Sequence, residues 1–143
     1  HPPGEFSAKP DERWFASKPE VLDAVGDTGV VTVNALTEEL HSGAAEFDYG
    51  RKGHIAGRCN LPYDALLEDG RFRSHGDIRA ALANKKMLDA PRVITYCGGG
   101  IAATVDAFAC LLVGQRSVAV YDGSMSEWVR DPDAPMETGP DRG

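Results

Sequence analysis

Residues 92–112, RVITYCGGGIAATVDAFACLL, decide the fold. A β-branched apolar run ends on Cys97, three glycines follow, and a helical apolar pattern begins near Ala102 and runs to Gly114, its natural C-cap. A strand therefore hands over to a helix at a thiol. The same alternation recurs on both sides. Upstream, Ser17 and Glu20 form a capping box with Pro19 in the first turn, and Val21, Leu22 and Val25 make a helical stripe ending at Gly26. Val30–Ala35 (VVTVNA) is apolar enough for a central strand buried on both faces. Thr37 caps a short acidic helix, FDYGRKGHIAG is a Gly-rich loop, and RCNLPY is another short strand stopped by Pro62. Ser74 and Asp77 frame the N-terminus of a helix running to about Lys86, with Ile78, Ala81, Leu82 and Met87 on its apolar face. SVAVYD is the last strand, followed by a short helix around SEWV and a Pro, Asp and Gly tail, while RWFA (13–16) reads as an edge strand. Connections too long for hairpins imply an α/β fold, three layers deep, with a central parallel sheet of about five strands between helices.

Composition bounds the function. The 143 residues, 42% hydrophobic and 26% charged, suit one domain with one core. A net charge of −7 without basic clusters argues against a nucleic-acid surface. No apolar stretch reaches membrane-spanning length and no signal-peptide pattern opens the chain, so a cytoplasmic protein is expected, with no membrane partner. Cys59, Cys97 and Cys110 are odd in number and irregularly spaced, which fits reduced thiols and neither a disulfide framework nor a metal knuckle; no metal or cofactor is expected. The chain begins with His rather than Met, so residues 1–12 are read as a linker or vector-derived segment, 13–136 as the domain and 137–143 as a tail.

Strand-to-helix turns at the carboxyl edge of a parallel sheet are where such folds bind ligands, and Cys97 occupies one. The helix behind it presents unpaired amides and the positive end of its dipole, and Gly98, Gly99 and Gly100 can curl their amides into an anion-binding nest. Both effects favour the thiolate, making Cys97 a nucleophile or the carrier of an anionic persulfide. Two plainer readings compete. In one, Cys97 is a small buried residue before a tight turn, although three consecutive glycines are entropically expensive for that purpose. In the other, the loop cradles a nucleotide phosphate, but the GK[ST] ending is missing and no GxGxxG pattern stands in its place.

Three segments in order, GHIAGRCNLPY (53–63), YCGGGIAAT (96–104) and VYDGSMSEW (120–128), resemble the rhodanese family of sulfurtransferases, over about Trp14 to Met136. The resemblance implies a rhodanese-like fold and a ping-pong reaction. Cys97 would take sulfane sulfur from a donor such as thiosulfate or 3-mercaptopyruvate, hold it as a persulfide on the amides of Gly98, Gly99, Gly100, Ile101 and Ala102, and pass it to cyanide or a thiol. Departures from the pattern bear on the donor. Where many members have Asp-x-Arg after the early strand, this chain has Asn34-Ala35-Leu36, and its cysteine loop is neutral, ending in Ala102 rather than Arg or Thr. Mercaptopyruvate-using relatives typically have a hydroxyl-bearing residue where Gly99 stands, so neither donor class is matched cleanly.

Arg51, just before GHI, is the first choice for binding an anionic donor, against a solvated surface role; Arg58 and Arg130 are read as structural or exposed. His54 is read as fixing a loop rather than as an acid or metal ligand. Cys59 and Cys110 are read as core thiols, with resolution of an oxidised Cys97 as the alternative. Asp122, Gly123 and Trp128 are read as shaping the wall of the site, with Ser124 as a candidate substrate contact. A phosphatase or arsenate reductase on the same scaffold would need an Arg in the loop, and none follows Cys97 before Arg116. A non-enzymatic interaction or regulatory module is the remaining rival, disfavoured by the intact cysteine and glycines. The expected partners are a small-molecule donor and a thiophilic acceptor, with an upstream rhodanese-like domain if the chain is half of a tandem protein; otherwise a monomer is expected.

Overall fold

A computed structural model describes residues 3–140; His1 and Pro2 of the expected linker and residues 141–143 of the expected tail lie outside the described residues. In chain order it contains a 3-10 turn (Glu12–Trp14), α1 (Lys18–Asp23), β1 (Val30–Asn34), α2 (Glu38–Ser42), β2 (His54–Ile55), β3 (Cys59–Asn60), a second 3-10 turn (Tyr63–Leu66), β4 (Leu67–Glu68), β5 (Arg71–Phe72), α3 (His75–Asn84), β6 (Arg92–Tyr96), α4 (Ile101–Leu112), β7 (Val118–Val120), α5 (Ser124–Trp128) and β8 (Met136–Glu137). The central sheet is parallel, with strand order β3-β1-β6-β7. It has four strands rather than about five. The expected edge strand RWFA makes a single bridge, Phe15 to Val120, because Asp11 accepts a hydrogen bond from Arg13 N at 3.1 Å and winds the preceding residues into the first 3-10 turn.

Alternation along the strands divides the core into two layers. Ile94, Tyr96, Ala119 and Tyr121 face one side and pack with Val21 of α1 and Met125 and Trp128 of α5. Val33, Val93 and Val118 face the other and pack with Ile78 and Leu82 of α3 and Ala107, Cys110 and Val113 of α4. The capping reading holds at both expected helix starts: the Ser17 hydroxyl accepts from Glu20 N at 3.4 Å and the Ser74 hydroxyl from Asp77 N at 3.2 Å. Thr37 precedes α2, yet its side chain makes no capping hydrogen bond.

Two antiparallel pairings lie outside the strands expected from the sequence. His54–Ile55 pairs antiparallel with Met136–Glu137, closing the loop region against the end of the chain. Leu67–Glu68 and Arg71–Phe72 form a hairpin whose Asp69 and Gly70 both have positive φ, 49° and 71°, the signature of a two-residue Asp-Gly turn.

Asp106 places a carboxyl in the core. It is fully buried on α4, and neither carboxylate oxygen has a hydrogen-bond partner among the described residues. Burial pushes its carboxyl well above the usual range, and with Asp106 it pushes the Cys110 thiol, one turn along, up to about 12. A carboxyl held protonated in the folded state stabilises the protein below the unfolded-state value of about 3.9, and this stability is lost as pH rises towards the folded-state value. Asp106→Asn removes the titration at nearly constant volume. In urea denaturation across a pH series, the variant should match the parent near pH 4 and exceed it increasingly at higher pH.

Candidate active site

The site grows from the carboxyl edge of β6. Ala35 N donates to Tyr96 O at 2.8 Å and Tyr121 N to Thr95 O at 2.9 Å, so both neighbouring chains hold the end of the strand that presents Cys97. Cys97 is 2% exposed. Its amide donates to the Ser124 hydroxyl at 3.0 Å, and that hydroxyl donates to Tyr121 O at 2.8 Å. The carbonyls of Cys97 and Gly98 accept from Met125 N and Ser126 N at 3.0 and 2.9 Å, and the Ser126 hydroxyl adds a second bond to Gly98 O at 2.8 Å. The start of α5 thus grips the backbone of the cysteine loop. Ser124 adopts a φ of 49° and is fully buried, so its hydroxyl is a backbone clamp rather than the substrate contact expected.

The three glycines have three different environments. Gly100 has a φ of 87°, and a Cβ there would lie 2.6 Å from the Asp122 carboxylate and 2.8 Å from its carbonyl. At Gly98 a Cβ would collide with the phenol of Tyr49, which packs against the loop there. Gly99 is exposed, and a Cβ there would meet only the Ser126 hydroxyl, at 3.9 Å. Only one of the three uses left-handed backbone. Immediately beyond, α4 begins at Ile101, which is 83% exposed, and its first turn has no side-chain cap.

Tyr49 packs against the layer that contains Cys97, and the ring of Phe47 meets it edge-on at 5.1 Å. Burial and the charge of Cys97 both push its phenol up. Sequence reasoning missed Tyr49 because it sits in a polar Gly-rich loop; its signal was an aromatic pair, Phe47 and Tyr49, in a segment otherwise without apolar bulk.

The expected cations are distributed elsewhere. Arg51 donates from Nη1 to the carbonyls of Asp131 and Ala134, both at 3.0 Å, bracing the turn after α5. Arg58 is buried, and its Nε and Nη2 lack partners among the described residues. Arg130 is exposed. His54 fixes its loop: Nδ1 donates to His41 O at 2.8 Å, and its ring stacks on that of His41 at 3.7 Å. Asn34, standing where many family members carry Asp, is fully buried; its Oδ1 accepts from Leu36 N at 3.0 Å, and Asn60 Nδ2 donates to the carbonyls of Asn34 and Leu36, both at 2.8 Å. A neutral amide network holds this turn. No disulfide joins Cys59, Cys97 or Cys110, and Cys59 and Cys110 pack in the layer opposite Cys97.

A family model described as rhodanese-like domain matches residues 18–131. The chain belongs to the rhodanese-like family. Its curated relatives include a probable 3-mercaptopyruvate sulfurtransferase of Pseudomonas aeruginosa, 31% identical over 96% of this chain and 49% of that protein. Another is a putative thiosulfate sulfurtransferase, SseB, of Mycobacterium tuberculosis, 35% identical over 80% of this chain and 40% of that one. This rhodanese-like chain thus spans half or less of the length of these relatives. Among solved structures it resembles EanB bearing a cysteine persulfide in a tetrahedral intermediate state with ergothioneine, at 25% identity and a TM-score of 0.77, covering 89% of this chain and 32% of that one.

The glycine geometry makes an ordered prediction. Gly99→Ala should leave stability within about 0.5 kcal/mol of the parent, whereas Gly98→Ala and Gly100→Ala should each lose roughly 1–3 kcal/mol, measured by chemical denaturation.

Proposed function

We propose that this domain is a sulfurtransferase that carries sulfane sulfur on Cys97. The observation that carries the reading is a thiol at the carboxyl edge of the sheet, followed by three residues without side chains and then by the uncapped first turn of a twelve-residue helix. In that arrangement the loop's own side chains take no space beside Sγ, and the helix N-terminus offers unpaired amide donors to negative charge. The names of the relatives and the persulfide in the EanB structure support the same chemistry.

The Cys97 thiolate attacks the outer sulfur of the donor, the new S–S bond forms, and the donor's bond to that sulfur breaks. From thiosulfate, sulfite departs with the bonding pair. From 3-mercaptopyruvate, the enolate of pyruvate departs and takes up a proton. The anionic terminal sulfur of the Cys97 persulfide is then held by the amides of Gly98, Gly99, Gly100, Ile101 and Ala102. In the second half, a thiophile such as cyanide attacks that terminal sulfur, and Cys97 leaves as the thiolate. Arg51 is the proposed counter-charge for an anionic donor, acting from the turn that it braces. Three cysteines without a disulfide fit the reducing, cytoplasmic setting proposed for the domain. Among the described residues no helix is long and apolar enough to cross a membrane.

Intact mass after brief incubation with thiosulfate, and separately with 3-mercaptopyruvate, tests the reading. The parent should gain one sulfur atom, removable by cyanide, and Cys97→Ser should gain none; the donor that loads faster is the preferred class. A folded parent with reduced Cys97 that gains no sulfur from either donor would overturn the reading in favour of an interaction module.

A further inference from the structure

At the opposite end of the sheet from Cys97, where β6 and β7 begin, an open cavity of about 570 Å³ is lined by Arg13, Trp14, Arg92, Arg116, Ser117 and Val118. We propose that this cavity binds a planar aromatic ring bearing phosphate, the chemistry of a nucleotide. Three observations support this, none of them involving the cysteine loop.

The first is charge. Arg13 folds back onto Asp11, with Nη2 to Oδ2 at 2.6 Å, and Arg92 donates to Glu20 Oε1 at 3.0 Å. Arg116 is exposed and has neither hydrogen bond nor ion pair among the described residues. Of the three guanidinium groups that line the cavity, two are paired with carboxylates and that of Arg116 is not, in a chain whose net charge is −7. A cation concentrated in a concave site of an acidic protein attracts anions there selectively. The guanidinium fork suits phosphate oxygens, and a group already shared with one carboxylate oxygen retains further N–H donors for a ligand.

The second is the aromatic face. Trp14 is 37% exposed and lines the cavity, whereas the chain's other tryptophan, Trp128, is fully buried. An exposed indole beside three guanidinium groups offers a stacking surface next to phosphate donors. The third is size, since the volume falls within the roughly 300–1,000 Å³ typical of small-molecule sites.

Because Trp128 is buried, Trp14 emission reports on the cavity. Titration of the whole chain with ADP should give saturable quenching, with adenosine and inorganic pyrophosphate each binding at least about tenfold more weakly. Arg116→Glu should weaken ADP binding at least about tenfold while leaving the circular dichroism spectrum and sulfur loading of Cys97 unchanged. Calorimetry with Trp14→Leu should show weakened binding without reliance on the fluorophore. Failure to saturate up to about 10 mM ADP overturns the proposal. Equal affinity for pyrophosphate alone would also overturn it, reducing the cavity to an anion patch. So would unchanged ADP affinity in Arg116→Glu, or a dimer in sedimentation that Arg116→Glu dissolves, since the occupant would then be a second copy.

Discussion

The hydrogen bonds between α5 and the cysteine loop are the constraint on which the site depends. Gly98, Gly99 and Gly100 have no side chains with which to fix their own conformation, and each glycine raises the entropy lost on ordering. Order is therefore imposed from outside, by Ser124 on the amide of Cys97, Met125 on its carbonyl, and Ser126 twice on Gly98 O. Asp122 and Tyr49 close the remaining two sides by standing where a Cβ at Gly100 or Gly98 would be. Glycines keep the loop's own side chains out of the space beside the sulfur. Placing rigid neighbours around it prevents that space from becoming disorder.

The clamp explains why the segment VYDGSMSEW (120–128) is built as it is. Ser124 reaches Cys97 N only because its backbone turns at a φ of 49°, a conformation unfavourable for a non-glycine residue and held here by full burial. Glu127 accepts from the Tyr121 hydroxyl at 2.6 Å, tying the end of β7 to α5, and Trp128 donates from Nε1 to Pro135 O at 3.2 Å, tying α5 to the following turn. Arg51 braces that turn from the other side through the carbonyls of Asp131 and Ala134. A residue placed by sequence at the substrate is thus part of the chain of contacts that positions the loop.

Elements with strong local signals were legible in the sequence. β1 and β6 read as strands because their β-branched residues are buried on both faces, and Ser17 and Ser74 read as caps because one short side chain suffices to satisfy an amide three residues on. The thiol, the glycines and their place between strand and helix were legible for the same reason. What escaped depends on distant partners. β2 exists only through β8, about eighty residues later, and two-residue strands carry no periodicity. The hairpin at Asp69-Gly70 did have a local signal, the Asp-Gly pair, but its short flanking strands lack alternation. The roles of Tyr49 and Ser124 are set by contacts across the fold, to Gly98 and Cys97, which no window of sequence contains.

The same dependence on distant partners governs where polar groups are buried. Asn34-Ala35-Leu36 carries no charge at the carboxyl edge of β1, and this neutral turn is satisfied by Asn60 and by the Asn34 side chain itself. No charge stands there to be neutralised by a substrate. The exposed guanidinium of Arg116 lies instead at the amino edge, beside Arg13 and Arg92. Parallel strands put these two features at opposite edges of the sheet. On the proposed reading, backbone amides of the loop would meet negative charge carried on Cys97, with Arg51 as the counter-charge for an anionic donor. That role is consistent with a glycine loop leading directly into an uncapped helix.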